Sequence, residues 1–277
     1  MKIYIVIPAY NEEGYLAQTL ESLVSQSLLP EKIVVVDDSS TDKTPAIIEK
    51  YSKRYPFISG LTTSSVGDHQ PGSKVVRAFN RGLESLDEHY DLICKFDADL
   101  IFPSNYLHEL SKMYMVSPRI GMAGGFCAIS RHGTWTVENL TAKDHLRGAL
   151  KSYRRECFKE IGGLKPAMGW DTADEILARY NGWEISTNQG LIVKHLKPTG
   201  ISYRKSQALR QGEAFKNLRY GLFLTVLGAL KLAIRKRSVA YFFGCVKGYF
   251  NTKGPHLLSR SEGRFLRRYR WRNLGRN

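Results

Sequence analysis

Up to Phe96 the chain alternates short apolar runs with stretches whose apolar positions recur at helical spacing. Lys2–Ile7 (KIYIVI) and Lys32–Val36 (KIVVV) read as buried strands rich in β-branched residues. Between them, Leu16, Leu20, Leu23 and Val24 fall on one helical face. Thr41–Tyr55 reads as a second helix, with Pro45 tolerable in its first turn and Ile47, Ile48 and Tyr51 turned inward. Phe57–Thr62 supplies a third strand. Gly72–Leu86 forms a helix with Val75, Val76, Phe79, Leu83 and Leu86 on one side, and Asp91–Phe96 a fourth strand. Pro103 opens a further helix containing Leu107, Leu110 and Met113. Strands joined in this order pair in parallel through helical crossovers, which implies an α/β sandwich around a mostly parallel sheet. Ligands on such sheets sit beyond the carboxyl ends of the strands.

Composition leaves room for a sizeable core: 43% of the 277 residues are hydrophobic. The four cysteines form no CxxC pair, which argues against a disulfide scaffold or a thiolate zinc site and for reduced thiols. The opening MKIYIVIPAYNEE meets Pro8, Asn11 and two glutamates too early for a secretory signal. The formal net charge of +15 is unevenly distributed. Residues 194–277 carry 20 Lys and Arg against two acids, while residues 1–193 are close to neutral. Such asymmetry points to a polyanionic partner for the last third, either membrane or nucleic acid.

Three motifs fall where strands end. The first is Pro8-Ala9-Tyr10-Asn11-Glu12, a loop able to offer backbone groups and a tyrosine face to a base or ribose; a plain turn with Asn11 as helix cap is the simpler use. The second is Val36-Asp37-Asp38-Ser39-Ser40-Thr41-Asp42. Adjacent carboxylates are costly to bury unless they meet N–H groups, hydroxyls or cations, and Asp38 suits a pyrimidine or guanine N–H. No GxGxxG precedes it, so a nicotinamide dinucleotide fold is disfavoured. The third, Asp97-Ala98-Asp99, follows directly on an apolar strand. Two carboxylates so spaced can engage one hard cation, Mg²⁺ or Mn²⁺, together with the sugar end of a phosphorylated ligand.

Taken together, IPAYNEEGYLAQTLESLVSQ, IVVVDDSSTDKT, GSKVVRAFNRGLE and LICKFDADL resemble the nucleotide-sugar half of family 2 glycosyltransferases over residues 1–130. The resemblance implies a GT-A fold, a UDP- or GDP-linked sugar donor, a divalent metal and inverting transfer. It implies that Pro8, Ala9, Tyr10, Asn11 and Glu12 line the nucleoside pocket and that Asp38 meets the base. Lys74 would approach the donor, Asp97 would contact the sugar or ribose, and Asp99 would ligate the metal. Residues 131–205 would form the acceptor half. There, Gly162-Gly163 and Gly169-Trp170-Asp171-Thr172-Ala173-Asp174-Glu175 stand near the family's Gly-Gly and Glu-Asp signatures, with Trp170 in place of the glutamate. Asp171 aligns with the family's general base, and Asp174, three residues on, shares its helical face and the candidacy. A late histidine reaches the metal or diphosphate in many such enzymes, a role that falls here to His195. Trp170, Tyr180 and Trp183 are candidates to stack on a sugar or to pack in the core.

Residues 206–277 form a basic, amphipathic helical region by the same reading. The apolar runs Tyr220–Ile234 and Ser238–Phe250 fall short of the ~20 residues that span a bilayer, but suit helices lying in its interface. Their other use is to pack on the preceding domain or to make a homodimer. Arg264–Arg272 interleaves arginine with aromatics, which fits an anionic leaflet or RNA. With a sugar-transfer domain attached, the membrane is the more economical partner and no nucleic acid is expected. The expectation is a metal-dependent transferase at the inner face of the cytoplasmic membrane, acting on a glycan or lipid-linked acceptor. Its rivals are a non-catalytic nucleic-acid-binding protein and a sugar nucleotidyltransferase; the missing glycine-rich phosphate loop argues against the latter.

Overall fold

A computed structural model describes residues 1–63, 72–131, 133–138, 145–197 and 207–273. The expected alternation is present as β1 (Ile3–Ala9), α1 (Leu16–Val24), β2 (Lys32–Asp37), α2 (Thr44–Arg54), β3 (Ile58–Thr62), α3 (Ser73–Glu84) and β4 (Leu92–Phe96). After the two-residue β5 (Leu100–Ile101) comes α4 (Tyr106–Val116). The chain continues through β6 (Ile120–Arg131), β7 (Thr134–Val137), β8 (Leu150–Arg154), α5 (Arg155–Glu160), α6 (Trp170–Tyr180) and β9 (Glu184–His195).

All these strands join one sheet in the order β3-β2-β1-β4-β8-β6-β9-β5, with β7 on β6. β3, β2, β1 and β4 run parallel. Beyond β4 the sheet is mixed: β8 runs antiparallel to both β4 and β6, β9 parallel to β6, and β5 antiparallel to β9. The parallel strands are buried on both faces, which explains why β1 and β2 are almost wholly apolar. One core packs α1, α2 and α4 on one face through Leu16, Leu20, Ile48, Leu107 and Leu110. The other packs α3, α5 and α6 on the opposite face through Val76, Phe79, Phe158 and Ile176. Strand order reverses between β1 and β4, so a crevice opens at their carboxyl ends.

The boundary expected at residues 205–206 lies outside the described residues. From Gln207 the chain is helical: α7 (Gln207–Asn217), α8 (Gly221–Lys236), α9 (Val239–Asn251) and α10 (Arg260–Arg272). Among the described residues, no helix is long and apolar enough to cross a membrane. Part of the apolar content of α9 is used inside the protein. A side chain on Gly212 of α7 would lie 1.9 Å from the Cys245 carbonyl oxygen, and one on Gly248 would lie 2.0 Å from that of Leu209. Only glycine lets the two helix backbones approach so closely.

The arginine- and aromatic-rich tail is likewise a docked helix. A capping box of Ser259 and Glu262 starts α10. Leu266 is fully buried, the Phe265 ring meets Tyr180 edge-on at 5.6 Å, and Arg179 lies over Tyr269. Aromatics that suggested stacking on RNA or insertion into lipid therefore partly serve to hold α10 against α6. Replacing Gly212 with valine should force α7 and α9 apart and cost about 1–3 kcal/mol by overpacking. Thermal unfolding of full-length Gly212→Val would measure this.

Candidate active site

The loops after β1 and β2 are zipped together by reciprocal hydrogen bonds. The Asn11 amide donates to Ser40 Oγ at 2.9 Å, and the Thr41 amide donates back to Asn11 Oδ1 at 2.8 Å. The Glu12 amide donates to Thr44 Oγ1 at 2.8 Å. Asn11 and Ser39 take left-handed backbone, at φ 53° and 60°, a conformation that Asn tolerates better than most residues. The zipped loops leave Tyr10 56% exposed, with the Lys74 ammonium 6.0 Å from its ring centroid. Beside them Asp38 is buried, and its Oδ1 has no hydrogen-bond partner among the described residues. An orphaned buried acceptor is costly unless a ligand N–H meets it. Pro8 and Ala9 lie within β1, paired with Val36 and Asp37. The Ala9 side chain belongs to the core, and its carbonyl holds the Asp38 amide at 2.9 Å.

The Asp97–Asp99 turn lies at the end of the adjacent strand β4. Thr19, in the middle of α1, pins it: its hydroxyl donates to the Ala98 carbonyl at 2.7 Å and accepts from the Leu100 amide at 3.0 Å. Pairing of β5 with β9 sets Leu100 opposite His195. His195 Nε2 therefore reaches Asp99 Oδ2 at 3.2 Å, and one ligand atom each of Asp97, Asp99 and His195 falls within 4.8 Å of the others. Two neighbouring ligands of an octahedral cation at ~2.1 Å stand about 3 Å apart, which the Asp99–His195 spacing matches. His195 Nδ1 is buried without a partner among the described residues. Burial works against a charged imidazole, yet the hydrogen bond to Asp99 and the charges of Asp99, Asp97 and Glu138 raise its pKa. This donor set of carboxylate oxygens and one imidazole fits Mg²⁺ or Mn²⁺. Cys127 and Glu138 also approach His195. Burial pushes the Cys127 thiol up to about 12, which disfavours the thiolate a metal would need, and Arg147 occupies Glu138 at 2.9 Å. Glu12 joins the rim of the site. Its carboxyl is raised by burial and by the nearby charges of Asp99 and Asp97, against the pull of Lys197 at 2.6 Å.

On the acceptor side, Gly169 at φ 94° turns the chain into α6. Asp171 lies in the first turn, half-buried, with its Cβ beside Gly148. The Gly148 carbonyl accepts from Lys95 Nζ at 2.9 Å, and the same ammonium pairs with Asp97. A short run of contacts thus links the candidate base to the carboxylate pair. Asp174 is placed differently, at 2% exposure. Its two oxygens lie 2.7 and 2.8 Å from Lys151 Nζ, and Tyr153 donates to it at 2.6 Å. A carboxylate so enclosed by donors is poorly placed to take a proton from an acceptor. Trp170 is also buried, with the Lys95 and Lys151 ammonium groups 5.4 and 5.6 Å from its ring centroid, and so packs against two cations in the interior instead of offering a face to a sugar.

Four contributors had not been singled out from sequence: Thr19, Lys95, Lys151 and Glu175. The signal for Lys95 was present, since a lysine two residues before Asp97 on an apolar strand faces the same side and needs a partner. Lys151 and Glu175 carry no such local signal. Burial would lower the Lys151 pKa, but Asp174, Glu175 and Asp171 raise it. Glu175 shows the converse balance: burial raises its carboxyl, while Lys151, His145 and the Leu146 amide bring it below the ordinary value.

Comparison with known proteins places this geometry among relatives. The model of the family described as Glycosyl transferase family 2 matches residues 4–164. The uncharacterized glycosyltransferase YibD of Escherichia coli is 30% identical over 251 residues, covering 79% of this chain and 67% of YibD. The poly(ribitol-phosphate) beta-N-acetylglucosaminyltransferase TarS of Staphylococcus aureus is 40% identical over 74 residues, which cover 26% of this chain and 13% of TarS. A crystal structure of TarS residues 1–349 with UDP-GlcNAc superposes with a TM-score of 0.59 at 18% identity, covering 91% of this chain and 72% of that one. The mannosyltransferase PcManGT of Pyrobaculum calidifontis, solved with GDP-Man and Mn²⁺, gives 0.57 at 14% identity over 99% and 80% of the two chains. The chain spans 23% and 26% of the length of two further curated relatives.

Lys151→Met would strand Asp174 and Glu175 in the interior, and breaking such a buried pair costs about 3–5 kcal/mol. Urea unfolding at neutral pH should report that loss. Because the folded pKa of Glu175 is lowered, its contribution is complete above the unfolded carboxylate value of about 4.3 and is lost as pH falls through the folded value. The acid limb of the stability curve should therefore be shallower in the variant.

Proposed function

This chain belongs to glycosyl transferase family 2, and from that premise we propose that it moves a sugar from a nucleoside-diphosphate donor to an acceptor hydroxyl with inversion. The observation that carries the reading is the convergence of Asp97, Asp99 and His195 at the carboxyl end of β4, beside the Tyr10–Asp38 crevice at the end of β1 and β2. Tyr10 and Lys74 flank the nucleoside, and Asp38 Oδ1 accepts its N–H. UDP-GlcNAc and GDP-Man in the two similar structures make a UDP- or GDP-linked sugar the donor class. Asp99 and His195, with Asp97 beside them, would hold Mg²⁺ or Mn²⁺ through Asp99 and the imidazole, and the ion when bound stabilises negative charge on the departing diphosphate. Asp97, tethered by Lys95, turns its remaining oxygen to the sugar or ribose. Asp171 removes the acceptor proton; the acceptor oxygen bonds to the anomeric carbon as the bond to the diphosphate breaks on the opposite face. Asp174 acts as a positioning residue: with Lys151 and Tyr153 it fixes the first turn of α6 and hence Asp171.

The helices from Gln207 onward suit attachment to an anionic membrane surface. Phe223, Leu230 and Ile234 on α8 and Val239, Phe243 and Phe250 on α9 are exposed, spaced as one stripe on each helix. Lys231, Arg235, Lys236 and Arg237 flank them, and each contributes about 1 kcal/mol near an anionic leaflet. We assign the acceptor to the class of lipid-linked or cell-surface glycans, consistent with the poly(ribitol-phosphate) named for TarS.

A thermal-shift series of UDP- and GDP-sugars with and without Mn²⁺ tests the donor site. One sugar nucleotide should raise the melting temperature only with the metal, and Asp99→Asn should abolish that shift. Asp171→Asn should keep the shift while transfer falls by at least a hundredfold. A metal-independent shift, or transfer retained in Asp99→Asn, would refute the assignment. For the membrane surface, the paired variant Ile234→Glu with Phe243→Glu should lose flotation with phosphatidylglycerol vesicles while keeping the donor shift.

A further inference from the structure

Between α7, α9 and α10 lies a cavity of about 640 Å³ that shares no residue with the donor site. Lys216, Arg219, His256, Arg260, Arg264 and Arg267 line it, with Gly221 and Tyr249, and no acidic side chain is among the described lining residues. Arg260, Arg264 and Arg267 are spaced i, i+4 and i+7 on α10, so they form one helical face. Like charges at that spacing oppose helix formation unless an anion meets them. Several of the cations are braced. Arg219 Nε donates to the Leu258 carbonyl at 2.6 Å, Arg267 Nη1 donates to the Arg219 carbonyl at 2.7 Å, and the Lys216 ammonium lies 4.9 Å from the Tyr249 ring centroid. Arg260 and Arg264 make no ion pair among the described residues.

We propose that this cavity binds a phosphate or diphosphate group. Arginine forks match phosphate oxygens in paired hydrogen bonds, and a cluster of them with no acid nearby favours a multiply charged oxyanion over a carboxylate. The surroundings point to a phosphate carried by a lipid. Gly221 stands two residues before Phe223, and Arg267 one turn before Trp271; those two exposed rings stack at 5.2 Å. The cavity therefore borders the apolar surface of α8, where the phosphate of a bilayer lipid or of a lipid-linked acceptor would lie. It also lies close to the reaction helix. Asn217, next to Lys216, donates to the Met168 carbonyl at 3.4 Å, three residues before Asp171.

The test uses the full chain in chelator, so that metal-dependent binding at the donor site is silent. Calorimetric titration with pyrophosphate should show binding in the wild type and at least about tenfold weaker binding in Arg260→Gln/Arg264→Gln. Lys216→Gln, a second variant on another helix, should weaken it in the same direction. Both variants should keep the Mn²⁺-dependent donor shift, which separates failure of this site from failure of the transferase reading. Vesicle flotation distinguishes the source. If the cavity takes a lipid phosphate, pyrophosphate should release wild-type protein from phosphatidylglycerol vesicles, and the double variant should bind them more weakly. Pyrophosphate binding that depends on the arginines, with flotation unaffected, would still support the site and assign it to a soluble phosphate. No binding by the wild type, or equal binding by wild type and both variants, would overturn the proposal.

Discussion

Two lysines face each other across the middle of the sheet. Antiparallel pairing of β4 with β8 sets Lys95 directly opposite Lys151, both almost fully buried. Like charges in that position repel, and each ammonium has lost its water. The fold resolves the conflict by laying the Trp170 ring near both ammonium groups and giving each its own carboxylates: Asp97 to Lys95, Asp174 and Glu175 to Lys151. These partners come from opposite sides of the cleft, the carboxylate pair after β4 on one and the first turns of α6 on the other. The charge balance of the interior therefore fixes the distance between the donor-side acids and the helix that bears Asp171.

The same economy appears at the rim. Loops after β1 and β2 exchange backbone and side-chain hydrogen bonds, so their shape does not depend on a ligand being present. Thr19 uses one hydroxyl to satisfy both a carbonyl and an amide of the turn between Asp97 and Leu100. Two buried carboxylate oxygens on these loops, Glu12 Oε2 and Asp38 Oδ1, have no hydrogen-bond partner among the described residues. Loops whose own hydrogen bonds are already made are preorganised: little of the binding free energy is lost to ordering them.

Much of this was legible in the amino-acid order. The alternation of apolar runs and helical stretches located seven of the early elements within a few residues, because parallel strands buried on both faces leave a strong local imprint. Acids at strand ends marked the crevice for the same reason. What could not be read locally were choices made by long-range pairing. Asp171 and Asp174 look equivalent on a helical wheel; only Lys151, contributed by β8, buries one and spares the other. His195 closes an apolar strand like any other residue until the pairing of β5 with β9 brings it to Asp99. The basic last third was legible as charge but not as contact. Two of the three aromatics of α10, Phe265 and Tyr269, turn inward because α6 offers them a surface, a fact no window of the tail contains.

That docking of α10 on α6 has a consequence for biosynthesis. On an emerging nascent chain, α6 must wait some ninety residues for the helix that covers Tyr180 and Arg179. The same late segment supplies Leu257, Leu258 and Leu266 to the cluster that holds Val6 and Val36, so the first strands to emerge are among the last to complete their packing. Until translation has delivered Phe265, Leu266 and Tyr269, one face of the sheet lacks part of its cover.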